Sequence, residues 1–188
     1  MDLESSFDHI CALVNSAPSA QAGWLSLTSF LAAEVGSCVV ESMRAVSIDE
    51  DVAAVQSQIE AAARRDPLPD GIDALWFGLF DACDDEGAEH VGYYIAGIRG
   101  FDAEDPDSRC SPAWWPEDRY LECEALSAIK RLEIEARGRR DTASSSFLGY
   151  TGQLGAALLV SRFAGRALAG QRLVVVGFDS GDYAVVGA

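Results

Sequence analysis

"IDALWFGLFDACDDEGAEHVGYYIAGIRGF", residues 72–101, is the stretch whose reading decides the fold class. Aromatic and β-branched residues fill 72–82 and 90–101, and the link between them, "CDDEGAE", is made of turn formers. That pattern predicts an antiparallel β-hairpin. A second β-rich stretch, "LVVVGFDSGDYAVVG" at 173–187, places strands at 173–178 and 182–187 around Asp179-Ser180-Gly181. In a three-residue hairpin loop Asp179 and Ser180 tolerate the right-handed positions, and Gly181 supplies the left-handed one.

Helical signals surround the hairpins. Leu3, Phe7, Ile10, Cys11 and Val14 recur at helical spacing, and the stretch from Asn15 to Pro18 stops that helix. A second helix is expected over 21–35, ending at Gly36, whereas 37–47 reads equally as strand or helix. Ser47 and Glu50 have capping-box spacing ahead of the stripe Val52, Val55, Ile59 and Ala62, which "PLPDG" (67–71) ends. Beyond the hairpin, residues 102–119 are too long for an ordinary connection. Pro116 at the first helical position, Glu117 and Asp118 in the first turn, and Gly138 predict a helix with Leu121, Ala125, Ile129, Leu132 and Ala136 inward. "RLEIEA" (131–136) alternates, so a strand there is an alternative. Residues 144–170 predict one apolar helix, capped by serines and ended by Gly170. Gly149, Gly152 and Gly155 give it a small-residue face for close approach to the sheet. The expectation is an α+β fold: an antiparallel sheet of two hairpins, packed by helices. Residues 1–70 would form a helical region and 71–188 the α+β part, or both one continuous domain.

Composition limits the function classes. The 188 residues are 49% hydrophobic with 6 prolines, enough for a real core. The net charge is −16, and it is uneven: residues 1–120 hold 23 acidic against 6 basic side chains, and residues 121–188 hold 7 against 8. A field of that sign repels phosphate backbones and attracts basic proteins. The stretches 10–33 and 143–161 are too polar to cross a bilayer, and "MDLESSFD" lacks the positive start of a secretory signal. Cys11, Cys38, Cys83, Cys110 and Cys123 are odd in number and unpaired in spacing. Reduced thiols in a cytoplasm account for them.

No catalytic constellation emerges. Asp179-Ser180-Gly181-Asp182 lacks the glycine spacing of a nucleophile elbow, since Gly177 lies three positions before the serine. His9 and His90 are isolated, and the cysteines have no zinc spacing. "DAEDPD" (102–107) resembles a calcium loop only in charge, without the required glycine or, at Ala113, the glutamate. The glycines of "GYTGQLG" have no lysine nearby for a phosphate loop. No cofactor is expected. What remains are acidic tips and an unusual aromatic pair. Asp84, Asp85 and Glu86 mark the first hairpin turn; Asp102, Glu104, Asp105 and Asp107 precede Trp114-Trp115. Two adjacent tryptophans cannot easily face one core. Either one is exposed beside carboxylates as a protein-binding hot spot, or the loop folds down and buries both.

"ALWFGLFDA" (74–82), "YYIAGIRGFD" (93–102), "PAWWPEDRYL" (112–121) and "VGFDSGDY" (176–183) occur in an order that resembles a group of small, largely uncharacterised bacterial cytosolic proteins. Some of that group are associated with immunity in polymorphic toxin systems. The resemblance covers about residues 74–187 and brings no catalytic residues. It implies a non-enzymatic binding protein that neutralises a toxin domain. The partner-binding residues would then be the acidic tips and the tryptophan pair, with a basic protein as partner and no nucleic acid or membrane. A structural subunit of a larger assembly, a homodimer included, and a small hydrolase using a carboxylate or Ser180 are the alternatives.

Overall fold

The computed structural model describes residues 3–105 and 112–186. Asp107 and Cys110 therefore lie outside the described residues. The order is α1 (Leu3–Ser16), α2 (Ala20–Val35), α3 (Ser37–Arg44), α4 (Ile48–Arg65), β1 (Ala74–Cys83), β2 (Glu89–Ile98), α5 (Glu124–Gly138), α6 (Thr142–Phe147), a π-turn (Leu148–Gly152), α7 (Gln153–Ala164), α8 (Arg166–Ala169), β3 (Leu173–Phe178) and β4 (Tyr183–Val186). The fold is α+β, with four strands in the order β2-β1-β3-β4. Both hairpins are antiparallel, but β1 and β3 pair in parallel, from Ala74↔Leu173 to Leu79↔Phe178. The sheet is thus mixed rather than antiparallel throughout. The helices between β2 and β3 return the chain to the start of β1, so β3 enters alongside β1 in the same direction.

Strand alternation sorts the side chains into two layers. Leu75, Phe77, Leu79, Tyr93, Ile95, Val174, Val176 and Val186 face the helices; Ala74, Trp76, Tyr94, Ala96, Ile98 and Val175 form a second, smaller cluster on the other face. Because both faces are covered, β1 is buried without interruption from Ala74 to Leu79. The helices α1, α2 and α4 add Ile10, Trp24, Leu27, Leu31, Val55 and Ile59 to the larger core. They share that core with α7, which is buried from Gln153 to Ser161. No helix among the described residues is long and apolar enough to cross a membrane.

Several local expectations are overturned by long-range partners. Residues 37–44, open between strand and helix in the sequence, are helical, and 131–136 belong to α5 as the helix reading had it, but other expectations give way. The helix expected from Pro116 starts eight residues later, at Glu124. Residues 113–121 run instead along the outer edge of β2: Ala113 N–H donates to Gly97, Ile95 N–H to Arg119, and Leu121 N–H to Tyr93. Asp51 of α4 then starts α5. Its buried carboxylate accepts from the Glu124 and Ala125 amides at 2.9 and 2.7 Å and from the Cys123 thiol at 3.3 Å. Ser47 makes no side-chain cap. Asp141, not the serines, caps α6 by accepting from Ser144 N–H, and that hydrogen bond, with the Ser144 hydroxyl, holds its carboxyl below the usual range. The single apolar helix is broken into α6, the π-turn, α7 and α8. Its glycine face packs on helices: Gly155 meets Leu27 of α2, and Gly149 and Gly152 meet Glu133 and Ile129 of α5.

Asp51→Ala is expected to lower stability by about 2–3 kcal/mol, because it leaves the buried Ala125 amide and the half-buried Glu124 amide unpaired. Asp51→Asn should lose about half as much. Urea unfolding of the two variants checks both.

Candidate functional site

One row of residues crosses the second sheet face in register. Gly78 pairs with Tyr94 on one side and with Gly177 on the other, and Gly177 pairs with Tyr183. Two central glycines therefore lie between two tyrosines. A Cβ on Gly78 would overlap the Tyr94 ring, and one on Gly177 would overlap Tyr183. The same device recurs one pair along, where the Phe80 ring covers Gly92. Without side chains at the glycines, the rings lie across the sheet instead of standing away from it.

That posture lets Tyr94 join three elements. Its hydroxyl accepts from Trp76 Nε1 at 3.1 Å and donates to Asp179 Oδ1 at 2.6 Å. Burial, followed by the Asp179 carboxylate, raises the Tyr94 phenol well above its ordinary value. Asp179 belongs to the tight loop between β3 and β4, closed by Phe178 N–H to Asp182 at 2.8 Å and Gly181 N–H to Phe178 at 3.0 Å. Gly181 takes φ 130°, a conformation that favours glycine. The turn thus aims one carboxylate at the aromatic face.

The tryptophan pair splits between the two layers. Residues 114–120 form backbone bridges to β2 at their ends, Gly97↔Trp114 and Tyr94↔Tyr120, and bulge between them. Trp114 is buried in the helix-side core, and its Nε1 donates to the Asp66 carbonyl at 2.8 Å. Trp115 points the other way, 45% exposed, with its ring edge-on to Tyr94 at 5.2 Å. The Arg119 guanidinium lies 4.6 Å from the Trp115 ring and 4.7 Å from that of Tyr120, itself 57% exposed. Phe80 links Tyr94 to Tyr120 at ring distances of 6.0 and 6.2 Å. The result is a continuous aromatic strip, Trp115–Tyr94–Phe80–Tyr120. Trp76, Trp115, Tyr94, Phe178 and Asp179 wall a cavity of about 350 Å³ beside it, with Ala96, Ile98 and Pro112 completing the lining.

The acidic residues singled out in the sequence are not all brought here. Asp102, Glu104 and Asp105 are exposed on the segment that Tyr183 anchors through its hydroxyl to the Ala103 carbonyl at 2.5 Å. Asp84, Asp85 and Glu86 sit at the far end of β1, past Cys83, which itself lies about 17 Å beyond Gly78 at a strand rise of ~3.4 Å per residue. Asp84 is engaged in its own turn, accepting from the Glu86 and Ala88 amides. Trp76, Tyr94, Phe80, Phe178, Arg119 and Tyr120 were missed by sequence reasoning. Their signal was the outward-facing Gly78 and Gly177, whose tyrosine partners are visible only once the strand register is known.

Other features offer little chemistry. A groove of about 840 Å³ runs past Asp51, Gln58, His90 and Cys123. Asp51 there caps α5, and the Gln58 amide pairs with both backbone groups of Glu122. Burial, and then Asp51, push the Cys123 thiol far above its ordinary value, which disfavours the nucleophilic thiolate. Ser180 is exposed and, among the described residues, has no hydrogen bond to a histidine; His9 stacks on Phe30 at 4.4 Å. The described Cys11, Cys83 and Cys123 are free thiols. Among the described residues, no group of three or more His, Cys, Asp or Glu side chains could hold a metal ion. No family model, curated protein or solved structure matches the chain.

Gly78→Ala is expected to cost about 1–3 kcal/mol by forcing Tyr94 off the sheet. The Trp76 and Trp115 fluorescence should shift as their partner moves, and the thermal midpoint should fall. A pH prediction follows from the buried phenols. Burial raises Tyr94 and Tyr93, and burial with Asp182 pushes Tyr150 up to about 12. The unfolded chain then ionises first. Stability should be complete below the ordinary phenol value of 10.0 and fall progressively above it. Alkaline unfolding followed by phenolate absorbance checks the sign; Tyr94→Phe should flatten the decline.

Proposed function

We propose that this chain is a non-enzymatic interaction protein that docks a basic protein partner on the second face of its sheet. The reading is carried by one observation: an aromatic strip, exposed at its ends Trp115 and Tyr120, lies beside the Asp179 carboxylate on a chain of net charge −16. Large exposed rings on a rigid sheet supply apolar contact area at low entropic cost, and aromatic anchors dominate protein interfaces. Asp179 and the Asp102–Asp105 segment add a negative rim that steers a cationic partner. The resemblance of residues 74–187 to immunity-type proteins gives the reading its specific form, occlusion of a basic toxin domain.

The partner to test first is the polypeptide encoded by the adjacent reading frame. Its affinity is expected to fall at least about tenfold between ~50 and ~300 mM salt, because the attraction between exposed charges is screened. Trp115→Ala with Tyr120→Ala should cost a further tenfold or so at constant salt. Calorimetric titration measures both. Salt-independent affinity, or affinity unchanged in the double variant, would count against this docking face.

A further inference from the structure

The cavity beside the aromatic strip has a composition that selects one kind of occupant. We propose that it receives an arginine side chain of the protein partner, held between aromatic faces and neutralised by Asp179. This inference rests on the reading of the second sheet face as the docking surface, and it names the anchor.

Three features converge. The first is size: about 350 Å³ lies at the small end of the ~300–1,000 Å³ typical of ligand cavities, which suits a single side chain. The second is the wall, where Trp76, Tyr94 and Trp115 present their rings to one volume, while the Phe178 ring stacks on Tyr150 on the helix side. Such rings attract cations by their negative faces, and most strongly where water is excluded. The third is charge. Asp179 Oδ1 accepts the Tyr94 hydroxyl, and no other hydrogen bond reaches this carboxylate's side chain among the described residues. A neutral apolar occupant would strip water from that carboxylate without compensation, at a cost a cation avoids.

Arginine fits better than lysine. A planar guanidinium stacks on rings and can present two parallel N–H groups to a carboxylate, whereas an ammonium is a compact, strongly hydrated point charge. The chain already shows the compatibility, since Arg119, which does not line the cavity, stacks on Trp115 and Tyr120.

The experiment uses the intact protein and two blocked amino acids of nearly equal shape. Acetyl-arginine amide carries the guanidinium; acetyl-citrulline amide replaces it with a neutral urea. Binding is read from the Trp76 and Trp115 indole N–H resonances. Arginine is expected to saturate with a Kd of about 1 mM, as for a lone side-chain anchor, and citrulline to bind at least about tenfold more weakly. Asp179→Asn, which can still accept from Tyr94, should weaken arginine about tenfold and leave citrulline unchanged. Equal binding of the two probes by the unaltered protein overturns the inference without recourse to any variant. So does an absence of saturable arginine binding, or arginine binding unaffected by Asp179→Asn. Those results leave the docking reading standing. Partner affinity unaffected by the Trp115/Tyr120 double variant overturns that reading alone.

Discussion

Two glycines placed side by side at the centre of a buried sheet are the constraint on which the second face depends. Gly78 and Gly177 pair directly across the parallel β1–β3 contact, and each is flanked by a tyrosine on the neighbouring strand. A side chain at Gly78 would lift the Tyr94 ring, and one at Gly177 would collide with the Asp182 carbonyl and the start of the Tyr183 side chain. With the trough kept flat, Tyr94 reaches both Trp76 and Asp179, so one hydroxyl ties β1, β2 and the β3–β4 turn together. Glycine weakens a strand interior, by roughly 0.5–1 kcal/mol relative to alanine in general terms. Here the overlying rings offset that loss, because they cover backbone that would otherwise face water.

The other side of the sheet makes this arrangement rigid. Phe77, Tyr93 and Ile95 are held against α7 and its neighbours, and the Tyr93 hydroxyl is paired with Ser161 Oγ at 2.6 Å inside that layer. Trp114 fastens the 112–120 segment to the end of α4, while Trp115, its neighbour in sequence, crosses to the opposite face. A bulge between two antiparallel bridges is what permits the crossing. The same bulge protects the edge of β2, which would otherwise offer unpaired backbone groups to another chain. The exposure of Trp115 and the protection of the β2 edge therefore come from one segment.

What the sequence revealed, and what it concealed, follows the range of the interactions. The two hairpins were legible because alternation and turn chemistry are local: "CDDEGAE" and "DSG" carry their own signals. The parallel contact between β1 and β3 was not, since it joins residues about a hundred positions apart and leaves no mark on either strand. The start of α5 misled for a related reason. Pro116, Glu117 and Asp118 imitate a helix N-terminus, but their backbone lies along β2, and the real cap is Asp51, over seventy residues earlier. For the tryptophan pair, local reasoning left open whether one ring stays exposed or the loop buries both; the outcome, Trp114 buried and Trp115 45% exposed, depends on how the segment lies along β2. The Asp179 turn had a legible shape. Its role as an aromatic-face carboxylate depended on Tyr94, which only the strand register supplies.

The charge distribution gains meaning from where the cations go. The excess of basic residues after position 120 does not simply offset the acidic first part, because several of those cations are directed inward. Lys130, with a side chain only 5% exposed, is surrounded by Asp81, Glu133 and Glu89. Burial alone would lower its pKa, but Asp81 and Glu133 raise it. Arg162 donates to the Val14 and Ala17 carbonyls at 2.5 and 2.7 Å, satisfying the end of α1, and Arg172 donates to Ile72, Leu168 and Ala169. A cation held against backbone carbonyls stabilises a helix end and is less available to screen a distant carboxylate. The carboxylates of Asp102, Glu104, Asp105 and Asp179, by contrast, lie on exposed residues. Lys130, Arg162 and Arg172 thus serve the ion pairs and carbonyls of the helical layer rather than the exposed surface.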